Sequence, residues 1–271
     1  MDTHQPRSAG FGASRGLRGA VVAGSVSQAT PAVRIAFLRK VYAMFGAAIA
    51  VWMGTAVLVT SNTALLETAA GIMRFGFFGV LLLLGGAFFI LHLTSRGSTP
   101  VAMLGLAVFG VVEGFLTAPL IYVALASSQG LPLYDAAGQL MAIEPSLLLT
   151  GNNIVTQAFG LTVGVFGGLS VYALTTKRDY SWMRGALWMG FFGLFAIGIM
   201  AAFFGIGENI VSGWGFPLAF VVLMGGFVLY DTQNIMNRYS EDMASMAAAK
   251  LMIDFIIMFK YMLMLLMSRR N

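Results

Sequence analysis

The sequence predicts an all-α polytopic membrane protein, a bundle of about seven transmembrane helices. Three observations carry this prediction. The 271-residue chain has a mean hydropathy of +0.83, with 58% hydrophobic and only 10% charged residues, against about 25% charged in an ordinary soluble domain. A water-soluble fold of this length could not bury so much apolar surface, so lipid must be the solvent for much of it. Finally, the apolar residues fall into seven windows, each near the length of about 20 residues that a helix needs to cross the hydrocarbon. Short runs of charges and turn formers separate them.

Residues 1–33 precede the first window. They are rich in Gly, Ala, Ser and Arg, and Asp2 is their only acid. They read as a flexible basic N-terminal tail ahead of a transmembrane domain over 34–271. The alternative is an Arg-rich, acid-poor mitochondrial transit segment. They lack the apolar core of a secretory signal. The windows then run over roughly 41–60, 72–93, 101–125, 152–175, 184–206, 211–236 and 250–267. Between them lie Arg96-Gly97-Ser98-Thr99-Pro100, Thr176-Lys177-Arg178-Asp179 and the segment from Arg238 to Asp242.

Lys and Arg in short loops set orientation. Arg34, Arg39, Lys40, Arg96, Lys177, Arg178 and Arg238 fall on one side, whereas Glu67, Asp135, Glu144 and Glu208 fall on the other. The N-terminus is therefore expected in the cytoplasm. A full last crossing would place Arg269 and Arg270 outside, against the rule, so that window either crosses regardless or dips in and returns. The net charge of +5 is accounted for by these flanking bases and does not call for nucleic acid. The absence of Cys excludes disulfides and thiol chemistry, and two His make a structural zinc site a poor expectation. The pairs Gly85-Gly86, Gly167-Gly168 and Gly225-Gly226 are expected to serve helix packing, since small residues let backbones approach in lipid.

Three acids lie inside the windows: Glu113, Asp231 and Asp254. Each costs about 2.5–3.5 kcal/mol on insertion scales and is a functional candidate for that reason. Asp231 and Asp254 are nearly equidistant from Asp242 in the turn between the last two windows, so they should share one depth. Whether they face one another depends on helix rotation. If they do, two anions in a poor dielectric compete for one proton. Protonated, the pair ties two helices together; deprotonated, it repels and offers hard oxygens suited to Ca²⁺. Arg96 is either a latch to one Asp or a plain loop charge. Asp231 could instead be a solvated residue at a fraying helix end, Asp254 could pair with Lys250 on its own helix, and Glu113 could bond structurally to Asn152, Asn153 or Gln157. His92, at the end of the second window, could titrate near neutral pH.

Four motifs resemble the Bax inhibitor motif (TMBIM) family. They are Glu113-Gly114-Phe115-Leu116-Thr117-Ala118-Pro119-Leu120-Ile121, Ala173-Leu174-Thr175-Thr176-Lys177-Arg178-Asp179-Tyr180-Ser181, Leu229-Tyr230-Asp231-Thr232-Gln233-Asn234-Ile235 and Ile253-Asp254-Phe255-Ile256. They occur in the family's order over roughly residues 35–268. The resemblance implies a seven-helix fold with the last helix central and a pH-gated cation leak, most often assigned to Ca²⁺. It also implies a diaspartyl pH sensor at Asp231 and Asp254. The latch arginine of the second span falls at Arg96 by ungapped spacing back from Pro119. Lys260, in the last window, departs from what a cation path would be expected to contain. Eukaryotic relatives suppress cell death and some bacterial ones bind a membrane protease, so a non-conducting regulator is the second reading.

An intramembrane aspartyl protease would need Gly-x-Gly-Asp at the second acid, whereas Asp254 follows Met252-Ile253. A proton-coupled transporter would be expected to show an inverted repeat, which the sequence does not. The expectation is therefore no enzyme and no cofactor. Ca²⁺ is the permeant ion, low-order metal contacts fall to Asp231 and Asp254, and lipid, H⁺ and a possible membrane protein are the partners. The membrane expected is the bacterial inner membrane, or alternatively the mitochondrial inner membrane.

Overall fold

The computed structural model describes residues 24–269 apart from 75, 96, 137, 142, 145 and 148–152. The described residues form helices and their connections, with one isolated bridge between Tyr134 and Leu140. Helix α1 spans Pro31–Thr60 and so begins within the last residues of the stretch read as tail. Pro31 suits a first turn, where a backbone N–H would lack a partner anyway. Just before it, the Val26 N–H donates to the Tyr239 carbonyl at 2.9 Å.

The second window is not one straight helix. Helix α2 covers Thr63–Arg74 and α3 covers Gly76–Thr94, with a bend of 105° between Thr63–Met73 and Phe78–Thr94. Gly76 takes φ +68° at the break, a left-handed backbone that glycine adopts at no steric cost. Hydropathy is blind to that turn. Helix α4, Thr99–Gln129, has Pro100 in its first turn and ends at Gly130 with φ +65°. It runs through Pro119 without a break in its assigned helix. Helix α5 is Ile154–Thr175, where the Asn153 side chain accepts the Thr156 N–H at 2.8 Å and satisfies one orphan donor of the first turn. Helix α6, Met183–Phe204, and the one-turn α7, Glu208–Val211, are joined through Gly205 and Gly207, both with positive φ. Helix α8 is Gly215–Arg238 and α9 is Ala244–Ser268.

Six of the described helices or helical runs are long and apolar enough to cross a membrane, and the α2–α3 pair makes up to seven if it counts as one broken span. The apolar side chains that face outward fit that solvent: Phe78, Leu82, Trp182, Met189 and Val222 are all exposed, far beyond what a water-facing surface carries. Helix α6 is the most lipid-facing, with 11% of its best apolar window buried inside the bundle.

Helix α9 packs against α1, α4, α5 and α8 and runs unbroken through 25 residues. Its Phe255 and Phe259 anchor an aromatic core. Phe45 stacks on Phe166 at 5.3 Å and meets Phe255 edge-on at 5.8 Å, while Trp52 meets Phe259 edge-on at 5.1 Å. Such pairings contribute about 0.5–1.5 kcal/mol each beyond simple burial.

The glycine pairs correct the packing expectation in part. A Cβ at Gly85, Gly86, Gly167 or Gly168 would meet open space, whereas one at Gly226 would lie 2.6 Å from Leu187. The closest backbone approach is elsewhere, between α1 and α4. A Cβ at Gly114 would lie 2.4 Å from the Trp52 carbonyl oxygen.

Candidate functional site: a buried acid pair and two lysines

Asp231 sits late in α8 and Asp254 ten residues into α9, at matching depth on the two helices that pack together. Their carboxyl groups face each other across that contact, and they are only 1% and 5% exposed. Rotation, which the sequence left open, therefore brings the acids together rather than turning them to lipid or water. The solvated, fraying-end reading of Asp231 is overturned by this burial.

Lys250 joins them, but not as expected. Its ammonium lies 3.2 Å from Asp231 Oδ2 on the neighbouring helix, with its side chain 34% exposed. The lysine rises one turn ahead of Asp254 and reaches across, so the intrahelical Lys250–Asp254 pairing gives way to a cross-helix bridge. Asp231 Oδ1 and Asp254 Oδ2 remain buried without a hydrogen-bond partner.

Three further buried hydroxyls without partners, those of Tyr42, Ser170 and Thr232, complete the set of such oxygens among the described residues. They come from α1, α5 and α8, and the Tyr42 hydroxyl lies beside those of Ser170 and Thr232. Unsatisfied buried oxygens are rare and call for an explanation, such as a functional role or an ion. Among the described residues no cluster of three or more His, Asp or Glu side chains could hold a metal. The acid pair thus offers at most four carboxylate oxygens, fewer than the six to eight that a tight Ca²⁺ site uses.

Glu113, near the middle of α4, does not bond to Asn153 or Gln157. Its Oε2 accepts a hydrogen bond from Lys260 Nζ at 2.7 Å. Asn153 is committed to capping α5, and its amide also donates to the Leu147 carbonyl at 2.6 Å; Asn152 lies outside the described residues. The Glu113 carbonyl accepts from Thr117 Oγ1 at 2.6 Å, and that hydroxyl in turn accepts from Trp52 Nε1 at 3.2 Å. The acid is therefore fixed from its backbone by α1 and from its carboxylate by α9.

Arg96 lies outside the described residues. Its neighbour Ser95 is buried, and the Ser95 carbonyl accepts a hydrogen bond from Ser245 Oγ at the start of α9 at 3.1 Å. His92 is exposed at the end of α3. Tyr239, just past α8, faces the Asp231–Lys250–Asp254 group, and burial pushes its phenol above the ordinary value.

Sequence reasoning gave Gln233 no role beyond its motif. Its amide holds the loop after α5: Oε1 accepts the Tyr180 N–H at 2.7 Å and Nε2 donates to the Arg178 carbonyl. The signal was available, because Thr176 to Ser181 and Tyr230 to Asn234 were two of the four motifs.

The family model described as inhibitor of apoptosis-promoting Bax1 matches residues 34–271. Protein lifeguard 4 of Mus musculus is 28% identical over 245 residues, covering 88% of this chain and 87% of its own. An uncharacterized protein of Borreliella burgdorferi is 35% identical over 150 residues, covering 51% of this chain and 62% of its own. The Golgi anti-apoptotic protein of Vaccinia virus (strain Lister) is 29% identical over 119 residues, covering 42% and 47%. The chain spans 62% of the length of the Borreliella protein and 54% of that of a Campylobacter jejuni relative. With a family model matched from Arg34 to the last residue and all four motifs inside that stretch, the chain belongs to the Bax inhibitor family of membrane proteins.

Proposed function

We propose that the chain is a pH-sensitive Ca²⁺ leak channel gated by the Asp231–Asp254 pair. One observation carries this reading. Two carboxylates from adjacent helices face each other inside an apolar bundle, and a single lysine is bridged to one of them. Two anions in that setting compete for one proton. With the proton present, the carboxyl–carboxylate bond draws α8 and α9 together, and the group with Lys250 is electrically neutral. With the proton lost, the group carries one net negative charge, the helices repel, and a cation is drawn to the free oxygens Asp231 Oδ1 and Asp254 Oδ2. Flux therefore rises as pH rises through the pair's titration.

In this reading the α2–α3 pair is one broken crossing, the bundle has seven crossings with α9 at its centre, and the N-terminus is cytoplasmic. The residues ahead of α1 are its tail, and Arg96 is the latch. The membrane is a bacterial inner membrane, with the mitochondrial inner membrane as alternative. The second reading, a non-conducting regulator that binds a membrane protease or another membrane protein, draws on the vaccinia relative, whose name is Golgi anti-apoptotic protein.

The test is Ca²⁺ uptake into proteoliposomes across a pH series, for wild type and for Asp231→Asn, Asp254→Asn and Arg96→Ala. The channel reading expects flux whose pH profile moves when either Asp is neutralised. Flux insensitive to all three substitutions removes the sensor, and no flux at any pH turns the assignment to the regulator.

A further inference from the structure

Two of the three acids buried among the described residues are bridged to a lysine of α9, and the third, Asp254, is on α9 itself. Lys250 lies 3.2 Å from Asp231 and Lys260 lies 2.7 Å from Glu113. The two lysines are ten residues apart on one helix, about 15 Å along its axis. Between these levels stands the aromatic core around Phe255 and Phe259. Neither lysine is the solvated charge of a helix end. Their side chains are 34% and 26% exposed, and their partners 1% and 11%. A lysine inside a span is as costly as the acid it meets, so each pair is two expensive residues used together. An acid alone would attract a mobile cation; an acid with a tethered ammonium has already received one.

The geometry points to Lys250 and Lys260 as built-in blocking cations, which occupy the positions a permeating cation would take at Asp231 and at Glu113. This inference rests on the reading of those acids as a cation path. It gives Lys260 a role in a cation channel: α9 carries its own counter-ions, one on each side of the aromatic core. Lys250 Nζ takes Asp231 Oδ2 while leaving Asp231 Oδ1 and Asp254 Oδ2 without partners, so the upper position is filled in charge but not in coordination. Lys260 Nζ, on a shorter contact and with its own side chain less exposed, fills the lower position more tightly. A cation moving through must displace each ammonium in turn. Both have the means to yield, because four-carbon stems let the heads swing away while the helix stays in place.

The chain has no cysteine, so a single introduced thiol is the only one present. In Lys250→Cys and Lys260→Cys, the thiolate attacks the thiosulfonate sulfur of aminoethyl methanethiosulfonate. A disulfide forms and methanesulfinate leaves. This returns an ammonium to within one bond of the lysine's reach. Methyl methanethiosulfonate makes the same linkage without charge. Ca²⁺ flux into proteoliposomes is read at one fixed pH, before and after each reagent. The expected result is flux about tenfold above wild type in each cysteine variant, returned to the wild-type level by the ammonium reagent and not by the methyl reagent.

Because each reagent's effect is read before and after on one sample, a folding defect cannot imitate the difference between the two reagents. Lys250→Gln, which keeps a donor for Asp231, serves where the cysteine variant is unstable and should also exceed wild type. If wild type conducts and the cysteine variants do not exceed it, or the two reagents act alike, the blocking role is overturned and the channel stands. If wild type and all variants are silent, the channel reading falls and the blocking role falls with it.

Discussion

Replacing Gly114 by alanine tests the packing that holds Glu113 in place. A Cβ there would lie 2.4 Å from the Trp52 carbonyl oxygen, 2.8 Å from Thr55 Cβ and 3.1 Å from Ala56 N. Two of these three atoms are backbone, so no side-chain rotation relieves the contact. The first is about 1 Å inside ordinary van der Waals separation, and α1 must retreat from α4 by that amount. Overpacking of this kind costs about 1–3 kcal/mol. The same retreat stretches the 3.2 Å bond from Trp52 Nε1 to Thr117 Oγ1, a loss of about 1 kcal/mol. Against this stands the helix-forming advantage of Ala over Gly, about 1 kcal/mol.

The net expectation for Gly114→Ala is a loss of about 2 kcal/mol. Gly160→Ala is the control, because its Cβ would meet nothing within 4 Å, and it should gain about 0.5–1 kcal/mol. Denaturant unfolding in detergent micelles, followed by tryptophan fluorescence, measures both. Agreement of the two variants within about 0.5 kcal/mol would refute the close α1–α4 approach and the support it gives Glu113.

Other expectations follow from the same geometry. Lys260→Met leaves a buried carboxylate without its cation and should cost about 3–5 kcal/mol, whereas Glu113→Gln with Lys260→Met should recover most of it; thermal unfolding of single and double variants decides, and equal losses in both would deny the pair. Gln233→Leu should cost about 1–3 kcal/mol by orphaning the backbone groups it now serves, and should speed proteolysis or hydrogen exchange of the loop at Lys177 to Tyr180 before that of any helix. Asn153→Ala should cost about 0.5–2 kcal/mol as a lost helix cap, seen as early fraying of α5 in hydrogen exchange.

Much of this was legible in the sequence because lipid imposes a simple rule. Long apolar runs must be helices, and charges between them must be turns. Hence α1, α4, α5, α6, α8 and α9 lie where hydropathy places them, with ends shifted by caps such as Pro31, Asn153 and Gly130. The bend at Gly76 was not legible, because it changes backbone sign without changing polarity. Equal depth for Asp231 and Asp254 followed from counting residues back from the turn. Their facing did not, since helix rotation is fixed by packing from four neighbours at once. The lysine partners were missed for a related reason. Local spacing favours the intrahelical Lys250–Asp254 pair by proximity alone, while a long flexible stem reaches a neighbouring helix whose position the sequence does not state. Glu113 was matched instead to amides at the start of α5, where Asn153 has a stronger use as a cap, and its partner Lys260 lies far along the chain on α9.

The central claim is that Asp231 and Asp254 hold one proton between them. Infrared difference spectroscopy across a pH titration reads it most directly, through the C=O stretch of a protonated carboxyl group. The account predicts one such band in wild type on the acid side of the pair's titration, lost in Asp231→Asn and equally in Asp254→Asn. A band that survives one of these substitutions unchanged, or two bands that titrate independently, would contradict it.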